Sequence, residues 1–333
     1  METAVVLGWV VLAVVAWISQ QVSRLIVVGG SHPVEAIMVG IVIGATVRNA
    51  GLVPRGWEPH LKRFQTPLLW GIVLLGAGFT FRVARELPLG LVVMFATMVL
   101  GFGFVFLVGR RTGLPEKLSV LLAVGTTICG GSAIAITAPL IGAEEEETSY
   151  AVGTIVIAAF LLLVSLPFLG GFLDLSQTAF GVWAGTAVHN TPQTIGTGYI
   201  YGEMAGQIAT VVKLTRNMFM VLVALMVSVW FRAKEVDGDR LGRKAVLKAF
   251  PWFLFGYVAM AVFAVQQLFP VGWIGFFKEA GKFLILMGMV GIGFGTDFRA
   301  MRRFGLRPLL VGILGTAVVT CISLGMITIF RLK

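Results

Sequence analysis

The chain has 333 residues, of which 57% are hydrophobic and only 13% are charged, and its formal net charge is +10. A soluble protein averages roughly a quarter charged residues, and a mean hydropathy of +0.93 implies more apolar surface than a water-exposed domain can bury. The composition therefore excludes an ordinary soluble protein. It predicts a membrane protein whose basic residues set the orientation in the bilayer, and we expect no nucleic-acid partner.

Long unbroken apolar runs, such as residues 158–169 and 219–230, indicate helices, because the strands of membrane barrels alternate apolar and polar residues. At about 20 apolar residues per crossing, the sequence predicts an all-α polytopic fold with eleven transmembrane helices. Their predicted limits are 4–20, 33–50, 66–82, 87–109, 115–142, 149–173, 178–200, 204–231, 246–268, 281–298 and 305–330. No connecting segment is long enough to fold separately, so residues 1–333 are predicted to form a single transmembrane transporter domain.

The first span follows Glu2 rather than a basic segment, and no small-residue cleavage site comes after it. It is therefore predicted to be a retained helix and not a signal peptide. The most basic connecting segment, residues 232–248, is assigned to the cytoplasm because basic loops stay on that side of the membrane. Counting spans outward from this segment predicts a cytoplasmic N-terminus and an external C-terminus.

Two short segments of the chain are similar to each other. Residues 76–82 (Gly-Ala-Gly-Phe-Thr-Phe-Arg) in the third span match residues 293–299 (Gly-Phe-Gly-Thr-Asp-Phe-Arg) in the tenth. The predicted topology gives these two spans opposite directions, as an inverted repeat requires. Because the match is short and rich in glycine, an inverted repeat and a chance likeness are both open.

The fifth predicted span contains Gly-Thr-Thr-Ile-Cys-Gly-Gly-Ser at residues 125–132. Each glycine costs about 1 kcal/mol in a helix interior, so this stretch predicts two half-helices that meet within the membrane. The second should begin at Gly131 or Ser132, with Ser132 as its N-cap, and its free N–H groups would form an anion site. The alternative is that the small residues only allow two helices to pack closely.

The seventh predicted span contains a polar patch, His-Asn-Thr-Pro-Gln-Thr-Ile-Gly-Thr-Gly, at residues 189–198. Pro192 removes a backbone donor and disrupts the preceding turn, and the polar side chains around it would be costly in contact with lipid. The patch therefore predicts a second interruption that lines a site. The alternative is an outer loop that follows a span ending near Val188.

One face of the eighth predicted span is polar at a spacing of three to four residues. Its members are Glu203, Gln207, Thr210, Lys213 and Asn217, with Arg216 beside them. Intramembrane cations without nearby acids usually face the protein interior and often meet a ligand. Lys213 and Arg216, together with a helix N-terminus, therefore predict a site for negative charge.

The candidate substrate-binding residues come from these three spans. They are Thr127, Cys129, Gly130, Gly131, Ser132, His189, Asn190, Gln193, Lys213, Arg216 and Asn217. The residues of the fifth span are expected to bind the anion through N–H and hydroxyl groups, and the two cations to balance its charge or order the site. The residues of the seventh span would line the opposite wall, where His189 would exchange a proton near neutral pH.

Neither a metal nor a cofactor is expected. Cys129 and Cys321 both lie in apolar segments and give neither a disulfide framework nor the spacing of metal ligands. No P-loop of the form Gly-x4-Gly-Lys-Ser/Thr occurs in the sequence, which argues against ATP-driven pumping by this chain alone.

Several of these segments, in order along most of the chain, resemble the YeiH family of bacterial membrane proteins. The resemblance is carried by residues 126–135 (Thr-Thr-Ile-Cys-Gly-Gly-Ser-Ala-Ile-Ala), the acidic cluster after them, the patch at His189, and residues 212–216 (Val-Lys-Leu-Thr-Arg). The family more often has His-Glu in place of His189-Asn190, and Ala-Gln-Val in place of Pro192-Gln-Thr194, so this chain lacks one expected carboxylate. The resemblance implies a bacterial inner-membrane location, two inverted bundles with discontinuous helices, and alternating access.

The family is often labelled as sulfate exporters, which implies a secondary active transporter that exports a small anion of the sulfate, sulfite or organosulfonate class. H+ or Na+ is the expected coupling ion, and a homodimer is one open form of assembly. An enzyme is not expected. Two alternatives stay open: an intramembrane enzyme with Cys129 or Ser132 as nucleophile and His189 as base, and an ion channel, which needs a continuous polar pore.

Overall fold

A computed structural model describes residues 2–25, 36–53, 66–79, 81–232, 253–270, 272–296 and 306–332. Within these ranges the chain forms thirteen α-helices and one short 3-10 helix, Gly76–Gly78, and no β-strand, which confirms the predicted all-α fold. The α-helices are α1 (Glu2–Leu25), α2 (Ala36–Asn49), α3 (Thr66–Leu75), α4 (Phe81–Arg111), α5 (Glu116–Thr127), α6 (Gly131–Leu140), α7 (Glu145–Phe172), α8 (Gln177–Ala187), α9 (Thr191–Tyr201), α10 (Glu203–Arg232), α11 (Phe253–Val265), α12 (Trp273–Gly295) and α13 (Leu306–Ile329).

Each of the eleven predicted spans contains at least one of these helices. The predicted boundary between the third and fourth spans is wrong, since α4 already begins at Phe81 and includes residues 82–86. The charged residues there indicated a loop, but a helix satisfies its own backbone groups and can extend beyond its apolar part. The basic segment 233–248 lies outside the described residues, so the orientation stays a prediction.

The outer surface of the long helices is apolar. Among the described residues, four helices are long and apolar enough to cross a membrane, at Val6–Leu25, Pro88–Arg111, Glu146–Phe172 and Leu306–Ile329. Only 28% to 44% of their apolar windows is buried within the protein. Most of each surface is therefore available to lipid, as expected of a chain that passes through the bilayer several times.

The chain folds into two compact units. The first comprises Met1–Phe81 and Trp252–Arg302, and the second comprises Arg82–Pro251 and Arg303–Lys333. The first unit contains α1 to α3, α11 and α12, and the second contains α4 to α10 and α13. That residues 1–333 act as a single transporter domain stays a prediction.

In the first unit, α3 and α12 pack closely and run antiparallel. A Cβ atom on Gly71 would meet the Gly281 carbonyl oxygen at 2.7 Å, and one on Gly288 would meet the Leu68 side chain. The later residue of α3 therefore faces the earlier residue of α12, as in an antiparallel pair. The two similar heptapeptides end these helices in the same way. The Phe79 N–H bonds the Gly76 carbonyl and the Thr296 N–H bonds the Gly293 carbonyl. The inverted repeat as a whole stays a prediction.

The second unit contains two interrupted helices. α5 ends at Thr127 and α6 begins at Gly131, while α8 ends at Ala187 and α9 begins at Thr191, so both predicted interruptions are confirmed. The outer-loop alternative for the second is wrong, because His189 is 0% exposed. Ser132 as N-cap is also wrong, since Gly130 holds that position with φ 70° and ψ −133°, a backbone conformation that favours glycine.

Candidate functional site

The polar face of α10 is buried in the second unit. Gln207, Thr210, Lys213 and Asn217 are at most 6% exposed, and Arg216 is 1% exposed. This confirms that the face points into the protein and not to lipid. Because a buried charge must be compensated by neighbouring groups, the partners of the two cations define the chemistry of the site.

The Arg216 guanidinium bonds main-chain carbonyls at the ends of both interrupted helices. The acceptors are the carbonyls of Thr126 at 3.0 Å, Thr127 at 2.7 Å, Gly185 at 3.1 Å, Thr186 at 2.6 Å and Val188 at 3.4 Å. The last carbonyls of a helix lack intrahelical partners and carry the negative end of the helix dipole. Arg216 is therefore a shared C-terminal cap of α5 and α8.

The Lys213 ammonium caps the same two interruptions one turn away. Its Nζ donates to the carbonyls of Ile128 at 3.1 Å, Val188 at 3.1 Å and His189. Three carbonyl acceptors around one nitrogen require three N–H groups, so the geometry corresponds to the charged ammonium. Within the part of the chain that the structure describes, Lys213 and Arg216 both donate to main-chain carbonyls, and neither donates to a carboxylate.

The charge around the two interruptions is positive overall. Each helix end carries roughly half an elementary charge, negative at the C-terminus and positive at the N-terminus. The C-termini of α5 and α8 thus offset only about one of the two cationic charges of Lys213 and Arg216. The N-termini of α6 and α9 add about one more positive charge to the same region. A bound anion would compensate this excess, whereas a bound cation would increase it.

The N-terminus of α6 is capped from the other interruption. The Asn190 side-chain Oδ1 accepts a hydrogen bond from the Gly131 N–H at 3.2 Å. A Cβ atom at Gly130 would overlap this oxygen, so only a glycine leaves room for the cap. Asn190 therefore links the start of α6 to the residue that precedes α9, and it brings the two positive helix ends together.

Two side-chain amides lie beside the N-terminus of α9, Gln193 in its first turn and Asn217 on α10. The Asn217 Nδ2 donates to the Thr191 Oγ1 at 3.0 Å, and the Asn217 Oδ1 is buried with no hydrogen-bond partner among the described residues. Gln193 is 4% exposed, and its side chain makes no hydrogen bond to any described residue. The Gln193 N–H groups are therefore available to an anion, while the Asn217 Oδ1 can only accept and indicates a position where a donor such as water completes the hydrogen bonds.

The His189 ring is held between two helices. Its Nδ1 lies 2.8 Å from the Thr126 carbonyl oxygen, and its Nε2 lies 2.7 Å from the Thr316 Oγ1 on α13. A carbonyl can only accept, so Nδ1 carries a proton. His189 therefore braces the end of α5 against α13, instead of lining an open wall as the sequence predicted.

The other predicted residues differ in the availability of their polar groups. The Thr127 hydroxyl donates to the Ala123 carbonyl at 2.7 Å, and the Cys129 thiol donates to the Met220 sulfur at 3.0 Å. Ser132 is exposed in the first turn of α6. The structure thus brings Lys213, Arg216 and the residues of both interruptions together, but it leaves Ser132, Gln193 and Asn217 with more capacity for a ligand than Thr127 or Cys129.

Sequence reasoning missed two participants in this site. Thr126 supplies the carbonyl that both His189 and Arg216 bond, and Thr316 supplies the hydroxyl for the His189 ring. A main-chain carbonyl leaves no mark in a sequence. The only signal for Thr316 is the four-residue spacing of Gly312, Thr316 and Thr320 in an otherwise apolar span, which is equally typical of helix packing.

Comparison with known proteins places the chain among bacterial membrane proteins. The family model described as conserved hypothetical protein 698 matches residues 5–312. A UPF0324 membrane protein of Clostridium tetani is 29% identical over 338 residues, which cover 95% of this chain and 94% of the relative. The UPF0324 membrane protein Bd1437 of Bdellovibrio bacteriovorus is 32% identical over 301 residues and covers 88% of both chains. The similarity extends through both units and both interrupted helices.

Proposed function

This chain belongs to the conserved hypothetical protein 698 family, the UPF0324 membrane proteins, and we propose that it is a secondary active transporter of a small anion. One observation carries the proposal. Two fully buried cations, Lys213 and Arg216, lie at the interruptions where α6 and α9 begin, with main-chain carbonyls and no carboxylate as their partners among the described residues. Such an excess of buried positive charge is costly unless an anion compensates it.

The geometry supports an oxyanion as the substrate. Helix N-termini with neighbouring amide and hydroxyl groups bind sulfate, phosphate and carboxylate groups through N–H and O–H donors. We propose that the substrate is of the sulfate, sulfite or organosulfonate class and that the chain exports it by alternating access. Its site would comprise the first turns of α6 and α9, with the Ser132 hydroxyl and the Gln193 amide N–H groups as donors.

The proposed setting is the bacterial inner membrane, with a cytoplasmic N-terminus and the bilayer as a further partner. A proton is favoured over Na+ as the coupling ion. Na+ is a hard cation that binds oxygen ligands such as main-chain carbonyls, and the carbonyls at the two interruptions already bond Lys213 and Arg216. A homodimer is compatible with the proposal, and the site within the second unit does not require one.

An intramembrane enzyme has less support. A nucleophile and its base must lie within hydrogen-bond reach of each other. In the described structure the His189 ring bonds the Thr126 carbonyl and the Thr316 hydroxyl, while the Cys129 thiol bonds a methionine sulfur. We therefore propose that the chain is not an enzyme. An ion channel is the second rival, and it differs from a transporter in that its flux does not saturate at a bound state of the substrate.

The test combines binding and flux. Purified protein in detergent is heated with sulfate, sulfite, taurine, acetate, phosphate or chloride, since a ligand of the folded state raises the apparent stability by mass action. The stabilising anion is then followed into proteoliposomes. Saturable uptake with exchange supports the transporter, and uptake that rises linearly with concentration supports a channel. Stabilisation by none of the anions, alongside a response to Na+, would refute the proposal.

We expect Asn190→Asp to abolish the response to anions. Aspartate is as good an N-cap as asparagine, so α6 keeps its cap, but the new carboxylate places a tethered negative charge at the helix N-terminus. The affinity for sulfate should fall at least about tenfold, which corresponds to about 1.4 kcal/mol, while the ligand-free protein melts at the same or a higher temperature, because the carboxylate compensates buried positive charge. Titration calorimetry and thermal denaturation measure the two effects.

The matched control is Asn190→Ser, which adds no charge but has a side chain too short to reach the Gly131 N–H. This variant should bind sulfate more weakly than the original protein and more tightly than the aspartate variant, because no negative charge lies at the α6 N-terminus. If the aspartate variant binds sulfate as tightly as the serine variant, the anion does not sit near the α6 N-terminus.

A further inference from the structure

The hydrogen bonds of His189 form a short chain that can hold either protonation state of the ring. The Thr126 oxygen fixes a proton on Nδ1, as described above. The Thr316 hydroxyl, 2.7 Å from Nε2, also lies 2.7 Å from the Gly312 carbonyl oxygen. A hydroxyl has one proton, and the Gly312 carbonyl can only accept. With a neutral ring the Thr316 hydroxyl donates to Nε2, and the Gly312 carbonyl keeps the Thr316 backbone N–H as its helical partner.

Protonation of the ring reverses one hydrogen bond of this chain. A proton on Nε2 is donated to the Thr316 Oγ1, and the Thr316 proton is then directed to the Gly312 carbonyl. The site thus needs no rearrangement of heavy atoms to hold the imidazolium form, and every member of the chain has a partner in both states.

The neighbouring charges oppose this proton when the site is empty. Burial of the His189 ring opposes its charge most, and Arg216 and Lys213 from α10 are the ionisable groups that oppose it further. The Cys129 thiol on the α5–α6 interruption lies near those two cations and carries no charge in its protonated form. Among the described residues α13 contributes the Thr316 hydroxyl to the ring. A third positive charge in this region is unfavourable because like charges in a low dielectric repel strongly.

A bound anion reverses this balance. Asn190, the next residue after His189, caps the α6 N-terminus where the proposed function places the anion. We propose that binding of the anion and uptake of one proton at His189 are coupled, so that the protein holds both together or neither. The inference rests on the proposed anion site and assigns the coupling proton to His189. Sulfate that travels with one proton still carries one net negative charge, so an inside-negative membrane potential favours its export. The two effects are reciprocal: if the bound anion raises the proton affinity of His189, then protonation of His189 raises the affinity of the protein for the anion by the same factor.

The test is titration calorimetry of the detergent-solubilised protein with sulfate and with methanesulfonate, since neither exchanges protons near neutral pH. The titrations are run in imidazole and in Tris, which differ in ionisation enthalpy and have cationic acid forms that do not compete for an anion site. The change of the observed enthalpy with buffer gives the protons taken up per anion. We expect close to one for the original protein.

Two substitutions assign the proton. His189→Gln keeps a donor toward the Thr126 carbonyl but cannot take up the proton, so its uptake should fall to near zero. Thr316→Val removes the acceptor of the Nε2 proton and should lower the uptake by at least about half, whereas Thr316→Ser keeps the hydroxyl and should leave it unchanged. The serine and valine variants test the chain even where the glutamine variant does not fold.

The outcomes separate the two proposals. Sulfate binding without proton uptake in the original protein would overturn the coupling and leave the anion site intact. Equal uptake in the original protein and the valine variant would also overturn it, because another group would then take the proton. Absence of binding by both anions in every buffer would refute the proposed function itself.

Discussion

Replacing Arg216 with leucine is expected to lower the free energy of unfolding by at least about 3 kcal/mol. The change removes five hydrogen bonds to the ends of α5 and α8 and leaves the buried helix C-termini without their cap. Each unsatisfied buried acceptor costs about 1–3 kcal/mol. Denaturation of the purified protein in the absence of any anion measures the effect.

Two variants make this result specific. Arg216→Lys keeps the charge but has three N–H donors on one atom in place of the five donors of the guanidinium fork, so its loss of stability should be intermediate. Arg110→Leu removes an exposed arginine at the end of α4 and should change the stability by no more than about 0.5 kcal/mol. If the ligand-free Arg216→Leu protein were as stable as the control, Arg216 would be a substrate ligand and not a cap of the two helices.

Replacing Gly130 with alanine is expected to have the second large effect, the loss of both stability and anion binding. The left-handed backbone at this residue costs an alanine about 1–2 kcal/mol. The new methyl group would also overlap the Asn190 Oδ1 and displace it from the Gly131 N–H. We expect a total loss of about 2–4 kcal/mol in unfolding free energy, and no stabilisation by sulfate.

Gly113→Ala is the matched control for backbone strain. Gly113, in the turn between α4 and α5, also has a positive φ of 80°, but a Cβ atom there would meet nothing within 4 Å. Its substitution should cost only the backbone term and leave anion binding intact. Equal losses of stability in the two variants, with sulfate binding preserved in both, would show that Asn190 does not position the α6 N-terminus.

The sequence alone predicts the membrane fold and both interruptions because these depend on local properties. The free energy of moving a side chain into lipid adds up along a continuous run of residues, so the eleven spans are visible without a partner segment. Glycine and proline change the backbone at their own positions. For that reason residues 125–132 and Pro192 mark the ends of half-helices directly.

Details that depend on a neighbouring segment were predicted less well. Ser132 is a good N-cap by its own chemistry, but the capping oxygen at α6 comes from Asn190, 59 positions away from Gly131. The predicted spans also left residues 83–86 between two helices, yet these residues lie in the first turns of α4. The local preference for an N-cap residue is worth about 1 kcal/mol, which interactions with the rest of the protein can exceed.

The sequence by itself determined that this protein is a membrane protein with two interrupted helices and two buried cations on one face of α10. The tertiary structure decided what those cations do. The most distant carbonyl that Lys213 bonds lies 85 positions away in the sequence, and the most distant one that Arg216 bonds lies 90 positions away. A main-chain carbonyl is the same in every residue, so its role as a partner is set only when folding brings a helix end beside a charge. The unpaired amides and the excess positive charge that support an anion site follow from that arrangement.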